Sequence, residues 1–490
     1  MNLQELLHNI AEVTAEIEVS ALVLDSRHIV PGSVFVALPG AHSHGLAYAE
    51  QVIARGASAI IYDPALADSY VPAQRSSCLL LAVANLNAYL GEIAARFYKQ
   101  PSQQLGVIGI TGTNGKTSCS QFLGQMLEHC GIIGTLGWGT AGHLVMTGYT
   151  TPDALSTQTM LAQFVQQQCP WVAMEVSSHG LAEGRVNAVR FKGVVLTNIS
   201  RDHLDFHGSM DAYIATKLSL FTKTDTEFAV INLDDALSAR FLAVIPPSVK
   251  IWGYSAQGAT NTNVELVSAA NIQASADGLR FDLSWQGQQC AVQVPFYGTF
   301  NVENLLAVAS VLLALNHTLT QVAQKLMQLQ PVNGRMQRFG HAQSPLVFVD
   351  YAHTPDALEK VLKSAREHCP STLWVVFGCG GDRDVGKRAQ MGAIAERYAD
   401  HVLLTNDNPR SEDPMRIIAD ILSGCQQREQ IEVIPDRAAA IGFALARVGA
   451  QDCVVVAGKG HEDYQEIAGT KIHFSDAEVV MRGLGLEAVN

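Results

Sequence analysis

The sequence is poor in the features that mark secreted, membrane and nucleic-acid-binding proteins. Its 490 residues include only nine cysteines and no C-x-x-C pair, so we expect neither a disulfide framework nor a zinc knot. This cysteine content fits a reducing cytoplasm. No apolar run reaches the roughly 18 residues of a membrane span, and we expect no signal peptide. The net charge of −13 argues against a nucleic-acid partner, because clustered Lys and Arg bind phosphate backbones.

What the chain does contain is apolar material for several buried sheets. Hydrophobic residues make up 48% of the sequence, and the length predicts three domains. We predict an α/β protein with a small mixed α/β domain over 1–88, a central P-loop mononucleotide-binding parallel sheet with an antiparallel ribbon over 89–331, and a C-terminal Rossmann-like doubly wound sheet over 332–490. The strands that carry this prediction are 33–38, 58–62, 172–176, 193–197, 228–232, 346–350, 373–377, 401–405, 432–434 and 453–457, with the ribbon at 271–294 and a buried helix at 305–315.

A glycine-rich turn between a predicted strand and a helix predicts a phosphate site. Gly109, Gly112 and Gly115 precede Lys116 and Thr117, whose amine and hydroxyl suit phosphate oxygens and Mg²⁺ respectively. Isoleucine at position 110 stands where the strict P-loop pattern has its first glycine. The strand before the loop and the helix after it favour a phosphate site over a chance glycine cluster.

Polar residues follow the next two predicted strands. Glu175 precedes a Ser-Ser-His-Gly stretch, which fits either a magnesium ligand or a helix cap. Residues 202–207 hold two aspartates and two histidines, which fit either a metal site or solvated side chains. Lys217 lies in a helical pattern over 212–220 and, on its own, is predicted to be an exposed helix lysine.

Charged turns follow strands of the C-terminal sheet, where ligands of such sheets bind. The glycine-rich segment 378–384 contains an Asp-Arg-Asp run, and Asp407-Asn408-Pro409-Arg410 joins a carboxylate, an amide and a guanidinium. Arg grips carboxylates and Asp neutralises ammonium groups, so both turns suit a zwitterion. The alternative for 407–410 is a surface turn with an i,i+3 ion pair.

Taken together, these segments resemble the ATP-dependent Mur ligases over nearly the whole chain. The stretches that carry the resemblance are 112–117, 175–180, 200–205, 301–304, 350–355 and 407–410. The resemblance implies a cytoplasmic, ADP-forming peptide ligase of peptidoglycan precursor synthesis. It would add meso-2,6-diaminopimelate to the D-glutamate γ-carboxylate of UDP-N-acetylmuramoyl-L-alanyl-D-glutamate through an acyl phosphate, as a monomer without nucleic-acid or membrane partners.

The same resemblance implies a set of site residues. Those expected to handle ATP are Gly112, Thr113, Asn114, Gly115, Lys116, Thr117, Ser118, Asn301, Arg335 and Asp350. Catalysis would use Lys116, Lys217, Glu175 and His203, with Mg²⁺ held by Thr117, Glu175, His203 and a CO₂-derived carbamate on Lys217. The uridine-linked dipeptide would contact Leu24, Ser26, Ala41, His42, Ser43, Thr150, Thr151, Ser177, Glu183 and Arg185, of which Glu183 replaces the glutamine expected from the family. Diaminopimelate would contact Arg383, Asp407, Asn408, Pro409, Arg410, Gly458 and Glu462.

Other functions share parts of this pattern. Relatives add L-lysine, or add glutamate to a folate, and lysine-adding relatives lack the arginine that ends the 407–410 motif. A small-molecule kinase would use the phosphate loop without an amine acceptor. A regulator would bind nucleotide without chemistry.

Overall fold

The computed structural model describes residues 1–40, 43–67, 69–70, 78–275, 278–340 and 344–486. They belong to two compact units, one of Met1–Gly109 with Leu127–Lys192 and the other of Ile110–Met126 with Gly193–Asn490. Both contain parallel strands and α-helices, which confirms the predicted α/β class. No helix in the described part of the chain has both the length and the apolar character needed to cross a bilayer.

The first unit opens with a four-stranded parallel sheet whose strands follow chain order. The side chains of Ser33–Ala37 alternate between two cores: Val34 and Val36 pack with the helices Leu3–Leu6 and Leu86–Phe97, while Phe35 packs on the other face. The helix Leu86–Phe97 runs through the expected boundary at residue 88. The strands are Ala21–Val23, Ser33–Ala37, Ala59–Tyr62 and Leu79–Ala82, and the other α-helix of this region is Ala49–Ala54.

The rest of the first unit presents Glu175 at a strand end. Trp171–Glu175 pairs in parallel with Cys130–Gly134, which continues into an antiparallel meander through Gly137–Thr140 and His143–Val145. Helices follow at Ala154–Gln166 and Ser178–Ala182. The predicted strand 172–176 is thus confirmed, one residue earlier along the chain.

Two strands, Gly106–Thr111 and Phe191–Leu196, begin in the first unit and end in the second. In the second unit Phe191–Leu196 continues into parallel pairing with Phe228–Asn232. That strand is followed in the sheet by Lys250–Ser255 and Glu265–Ser275, the second of which turns into the predicted antiparallel ribbon with Gly278–Trp285 and Gln288–Val294. The helices are Lys116–Met126, Leu204–His207, Met210–Leu218, Ser238–Leu242, Phe300–Ala314 and Leu319–Met327.

The C-terminal part of the second unit is a doubly wound sheet, as predicted. Five of its six strands are parallel, and the edge strand Gln337–Phe339 is antiparallel to Leu346–Asp350. Phe348 packs into one core and Val347 and Val349 into another, so both faces are covered. The remaining strands are Leu373–Phe377, His401–Leu404, Glu432–Val433 and Cys453–Ala457, with a hairpin of Tyr464–Ile467 and Thr470–His473; the helices are Pro355–Glu367, Gly386–Tyr398, Pro414–Leu422, Arg437–Leu445 and Asp476–Gly483.

A buried ion pair fastens the last helix to this sheet. Arg437 donates to both carboxylate oxygens of Asp476 at 2.7 and 2.8 Å, with both side chains at 0% exposure, and also to the carbonyl of Ala457. We expect Asp476→Ala to lower the free energy of unfolding by about 3–5 kcal/mol, because Arg437 would remain buried without a counter-ion. Denaturant titration measures this, and exposed Arg482→Ala on the same helix should change it by less than about 0.5 kcal/mol. Equal effects of the two substitutions would contradict the expectation.

Candidate functional site

The predicted strand–loop–helix arrangement of the phosphate loop is present. Gly112 has φ +146°, and a Cβ there would lie 1.9 Å from Thr197 Oγ1, so the position requires glycine. Thr197 Oγ1 donates to the carbonyl of Asn114 at 2.6 Å, and the amide of Thr113 donates to the carbonyl of Asn198 at 2.7 Å. The strand end at 197–198 thus fixes the loop, a role that the sequence pattern did not assign.

Two lysine amines meet at one carbonyl oxygen of this loop. The Nζ atoms of Lys116 and Lys217 donate to the Gly112 oxygen at 2.8 and 2.9 Å. Lys217 is 1% exposed, so the prediction of an exposed helix lysine from the isolated segment is wrong: Tyr213 and Ile214 are buried on the same helix, and Lys217 points inward with them. Burial, and then repulsion from Lys116, places the pKa of Lys217 well below its usual value. Burial and the neighbouring Lys116 thus both disfavour the charged form of Lys217.

An aspartate and a histidine adjoin the loop. His203, in the left-handed region at φ +53°, places Nε2 3.2 Å from Asp202 Oδ2. Burial acts to raise the pKa of Asp202, but nearby groups that can carry positive charge, His203 first among them, outweigh it and lower that pKa. Among the residues described, no group of three or more His, Cys, Asp or Glu side chains is arranged to hold a metal ion.

Arg335 links the phosphate loop to the residues expected near the nucleoside. Its Nη2 donates to Thr117 Oγ1 at 3.1 Å, and its guanidinium lies 4.6 Å from the centre of the Tyr351 ring. Asp350, at the end of its strand, accepts from the amide of Met336 at 2.7 Å. Burial raises the pKa of Asp350 to about 6, against the opposing attraction of Arg335.

Three further hydrogen bonds lie in this region. Asn301 donates to the carbonyl of Tyr297 at 2.8 Å and accepts from Asn304, so its amide is fixed. Asn114 Nδ2 donates to Asp356 Oδ2 at 2.9 Å. Asp356 stands in the first turn of Pro355–Glu367 and ties that helix to the phosphate loop. Sequence reasoning missed it because a first-turn aspartate is ordinary for a helix.

The charged turns of the C-terminal sheet meet at one edge, as expected. Gly458 has φ +115°, and a Cβ on it would lie 2.5 Å from Asp407 Oδ2. The backbone amide of Gly458 donates to the backbone carbonyl of Asp350 at 3.0 Å. The backbone amide of Gly381 donates to the backbone carbonyl of Asn408 at 2.9 Å. The carboxyl ends of four strands therefore bring the segments 378–384, 407–410 and 458–462 together with Asp350.

Arg410 is not part of a simple surface turn. Its Nη1 donates to the carbonyl of Gly381 at 2.7 Å and its Nε lies 3.4 Å from Glu466 Oε2, so its ion-pair partner is Glu466 and not the residue three before it. Asp407 and Asn408 are buried, whereas Arg383 is exposed. The i,i+3 ion-pair alternative for 407–410 is therefore wrong, because the motif is hydrogen-bonded into the sheet edge.

Lys459 is a second residue that sequence reasoning missed. Its Nζ, fully buried, donates to Asn408 Oδ1 at 3.1 Å and to Glu462 Oε2 at 2.9 Å. Asn408 Nδ2 donates to the same oxygen of Glu462 at 2.8 Å. A lysine between two expected contact residues was a usable signal, but lysines are by default exposed.

In the first unit, Glu175 is a fully buried carboxylate. Its two oxygens accept from the amide and the hydroxyl of Thr135, each at 3.0 Å. Thr135 directly follows the strand Cys130–Gly134, which is parallel to Trp171–Glu175. Because parallel strands end at the same edge of a sheet, a contact between Thr135 and Glu175 could have been predicted. Ser177 caps the helix Ser178–Ala182 through the amide of Gly180, so the capping role belongs to Ser177 and leaves the role of Glu175 open.

The residues expected to hold the dipeptide form a hydrogen-bonded group in the same unit. Thr151 accepts from the amide of Ser177, and Thr150 shares a 3.0 Å hydrogen bond with Thr135. Arg185 Nη1 donates to the Thr151 carbonyl at 2.6 Å. Its Nε and Nη2 both donate to Glu183 Oε2, at 2.9 and 2.6 Å. Glu183 is thus the ion-pair partner of Arg185.

The expected uridine contacts lie at the N-terminal sheet. Leu24 is half-buried, and Ser26 is buried, with its carbonyl accepting from Arg55 at 3.0 Å. Ser43 is exposed, and its carbonyl accepts from the amide of Gly40. Ala41 and His42 lie outside the described residues.

Comparison with known proteins places three family models on the chain in order. Residues 18–98 match "Mur ligase family, catalytic domain", 110–312 match "Mur ligase middle domain" and 334–460 match "Mur ligase, glutamate ligase domain". Together they cover well over half of the sequence. The three matches follow one another along the chain without overlap.

Individual relatives are similar over almost their whole length. The UDP-N-acetylmuramoyl-L-alanyl-D-glutamate–2,6-diaminopimelate ligase of Xanthomonas campestris pv. campestris is 48% identical, with 99% of this chain and 97% of the relative covered. That of Coxiella burnetii is 44% identical, with 96% and 97% covered. A solved structure of a ligase of the same name is 36% identical, covers 99% of both chains and has a TM-score of 0.69.

Proposed function

This chain belongs to the Mur ligase family, and from that premise we propose that it joins meso-2,6-diaminopimelate to UDP-N-acetylmuramoyl-L-alanyl-D-glutamate at the expense of ATP. The observation that carries the choice of acceptor is the sheet edge at which Asp407, Asn408, Arg410 and Glu462 meet. Diaminopimelate differs from lysine by one carboxylate, and Arg410 is a partner for that group. Asp407 and Glu462 suit the ammonium beside it.

The first step activates the D-glutamate γ-carboxylate. A carboxylate oxygen attacks the γ-phosphorus of ATP, the bond to the bridging oxygen breaks, and ADP leaves with the electron pair. Lys116, Thr117 and Arg335 lie together at the phosphate loop, where two cations can neutralise charge on the transferred group. Asn301 and Asp350 would hold the adenine and ribose.

The second step forms the amide. The neutral amine of diaminopimelate attacks the acyl carbon, phosphate leaves with the former carboxylate oxygen, and the amine loses a proton. Arg383, Asp407, Asn408, Pro409, Arg410, Gly458 and Glu462 would hold the acceptor. Exclusion of water matters at this stage, because water would hydrolyse the acyl phosphate.

Lys217 is suited to carbamylation, which the resemblance implies. Only an unprotonated amine adds to CO₂; the N–C bond forms, one proton is released, and the side chain becomes an anion. Burial and Lys116 both favour the neutral form of the amine, and the carbamate anion would then pair with Lys116. Carbamylation would thus turn the amine into a carboxylate-like ligand for a cation.

Magnesium ligands are proposed for each unit by itself. Thr117, His203 and the Lys217 carbamate belong to the second unit, and Glu175 to the first. A hydroxyl, a carboxylate and a carbamate fit Mg²⁺, which prefers oxygen donors. When bound, Mg²⁺ would neutralise charge that builds up on phosphate oxygens.

The other substrate contacts remain proposals that follow from the resemblance. Leu24, Ser26, Ala41, His42 and Ser43 would bind the uridine nucleotide, and Thr150, Thr151, Ser177, Glu183 and Arg185 the muramoyl-dipeptide. We further propose the three domains 1–88, 89–331 and 332–490, a monomer, and a cytoplasmic location.

Acceptor-dependent turnover tests the proposal. Purified chain, ATP, Mg²⁺ and the uridine-linked dipeptide should release phosphate with meso-diaminopimelate and yield a product heavier by one diaminopimelate minus water. L-Lysine should give turnover lower by about 10³-fold or more, since it lacks the distal carboxylate that Arg410 would bind. Phosphate release independent of any amine would instead indicate a kinase, and preference for lysine would overturn the choice of acceptor.

Nucleotide affinity should fall as pH falls through about 6. Asp350 has a raised pKa of about 6, so it becomes protonated below that value and loses the charge with which it would accept ribose hydroxyl donors. ADP titration between pH 5 and 8 should show this fall in affinity in the parent protein. Asp350→Asn should bind ADP more weakly at pH 8 and should not show the fall. An identical pH profile for the two proteins would contradict the role of Asp350.

A further inference from the structure

Lys459 is a cation that no assigned contact uses, although it lies among the residues proposed to bind the acceptor. Its fully buried Nζ donates to Asn408 Oδ1 and Glu462 Oε2, and Asn408 Nδ2 donates to the same Glu462 oxygen. We call Asn408, Lys459 and Glu462 the acceptor triangle. All three edges are hydrogen bonds of 2.8–3.1 Å.

The acceptor triangle fixes how Asn408 presents its amide. Its oxygen accepts from Lys459 and from the backbone amide of Glu466 at 2.9 Å, and its nitrogen donates to Glu462. If the amide were rotated by 180°, its NH₂ group would face the two donors, Lys459 Nζ and the Glu466 amide, and its oxygen would face the Glu462 carboxylate. Lys459 therefore helps to set which group of Asn408 an acceptor meets.

The charge of Lys459 also bears on the acceptor's distal end. Lys459 is the buried counter-ion of Glu462, at 2.9 Å. Without that cation, the edge would become more negative by one charge where a distal carboxylate must bind. An acceptor that lacks this carboxylate would not meet the added repulsion.

We propose that Lys459 is a positioning residue that determines acceptor specificity. It orients Asn408 and Glu462, and its charge favours an acceptor with a distal carboxylate over one without it. This inference rests on the proposed function. It concerns a residue that touches Asn408 and Glu462 and acts through them.

Charge-removing and charge-keeping variants separate this role from a structural one. Lys459→Met and Lys459→Gln remove the charge, Lys459→Arg keeps it, and Lys471→Met is the matched control on the neighbouring hairpin, where Lys471 is exposed. We expect kcat/KM for meso-diaminopimelate to fall by about 30-fold in the charge-removing variants, mainly through KM. Turnover of L-lysine should change by less than about threefold, so discrimination between the acceptors narrows.

Further readings decide between the outcomes. The KM for ATP should stay within about threefold of the parent value in every variant, and Lys459→Arg and Lys471→Met should keep the parent discrimination. Equal losses with both acceptors, or a matching rise in the KM for ATP, would overturn the inference. So would insolubility of both charge-removing variants alongside a folded Lys459→Arg, because the charge would then serve folding. Failure of the parent protein to use diaminopimelate would sink the proposed function itself.

Discussion

Lys217→Met should lower kcat by about 10³-fold, the magnitude expected when a charged group that acts on a transferring phosphoryl group is lost. Methionine has a similar volume, so the buried site stays filled, but it cannot donate to Gly112 or carry a carbamate. Steady-state phosphate release measures kcat, and exposed Lys250→Met is the control, expected within about twofold of the parent.

Dependence on CO₂ separates the carbamate from a plain amine. Parent protein freed of CO₂ should lose activity and regain it when bicarbonate is added, while Lys217→Met should respond to neither treatment. A Lys217→Met variant that keeps more than a tenth of the parent kcat would refute the assigned role. Full parent activity without CO₂ would refute the carbamate alone.

Arg410→Ala should lower kcat/KM for meso-diaminopimelate by about 10³-fold, or about 4 kcal/mol, because the distal carboxylate would enter the site without its cationic partner. Turnover of lysine, which lacks that carboxylate, should change far less. Arg410→Lys keeps the charge but loses the planar pair of donors, so its kcat/KM for meso-diaminopimelate should lie between those of the parent protein and Arg410→Ala.

Arg416→Ala is the control for this substitution, since Arg416 is exposed on the helix that follows the motif. It should leave both acceptors unaffected. Parallel losses with diaminopimelate and lysine in Arg410→Ala would show that Arg410 supports the loop through Gly381 and Glu466 instead of selecting the acceptor.

The sequence predicted most of the architecture because apolar periodicity and turn residues are local signals. The strands 228–232, 346–350, 373–377 and 453–457 match the observed bounds, and the glycine loop occupies its expected place between a strand and a helix. Strand ends also predicted that the segments after Asp350, Phe377 and Ala457 would meet.

What the sequence could not supply was burial and partnership. Lys217 and Lys459 have the helix and loop settings of exposed lysines, and only the packing of distant elements buries them. The bond from Asn114 to Asp356 joins residues 242 positions apart, and no local pattern encodes it. Arg410 likewise finds Glu466 and Gly381, not the aspartate of its own motif.

The central claim is that ATP activates the D-glutamate γ-carboxylate as an acyl phosphate before the amine attacks. Substrate labelled with ¹⁸O in that carboxylate tests it most directly, by mass spectrometry of the phosphate released in a complete reaction. We predict one ¹⁸O atom transferred to each phosphate. Phosphate free of the label, alongside normal amide formation, would contradict the claim.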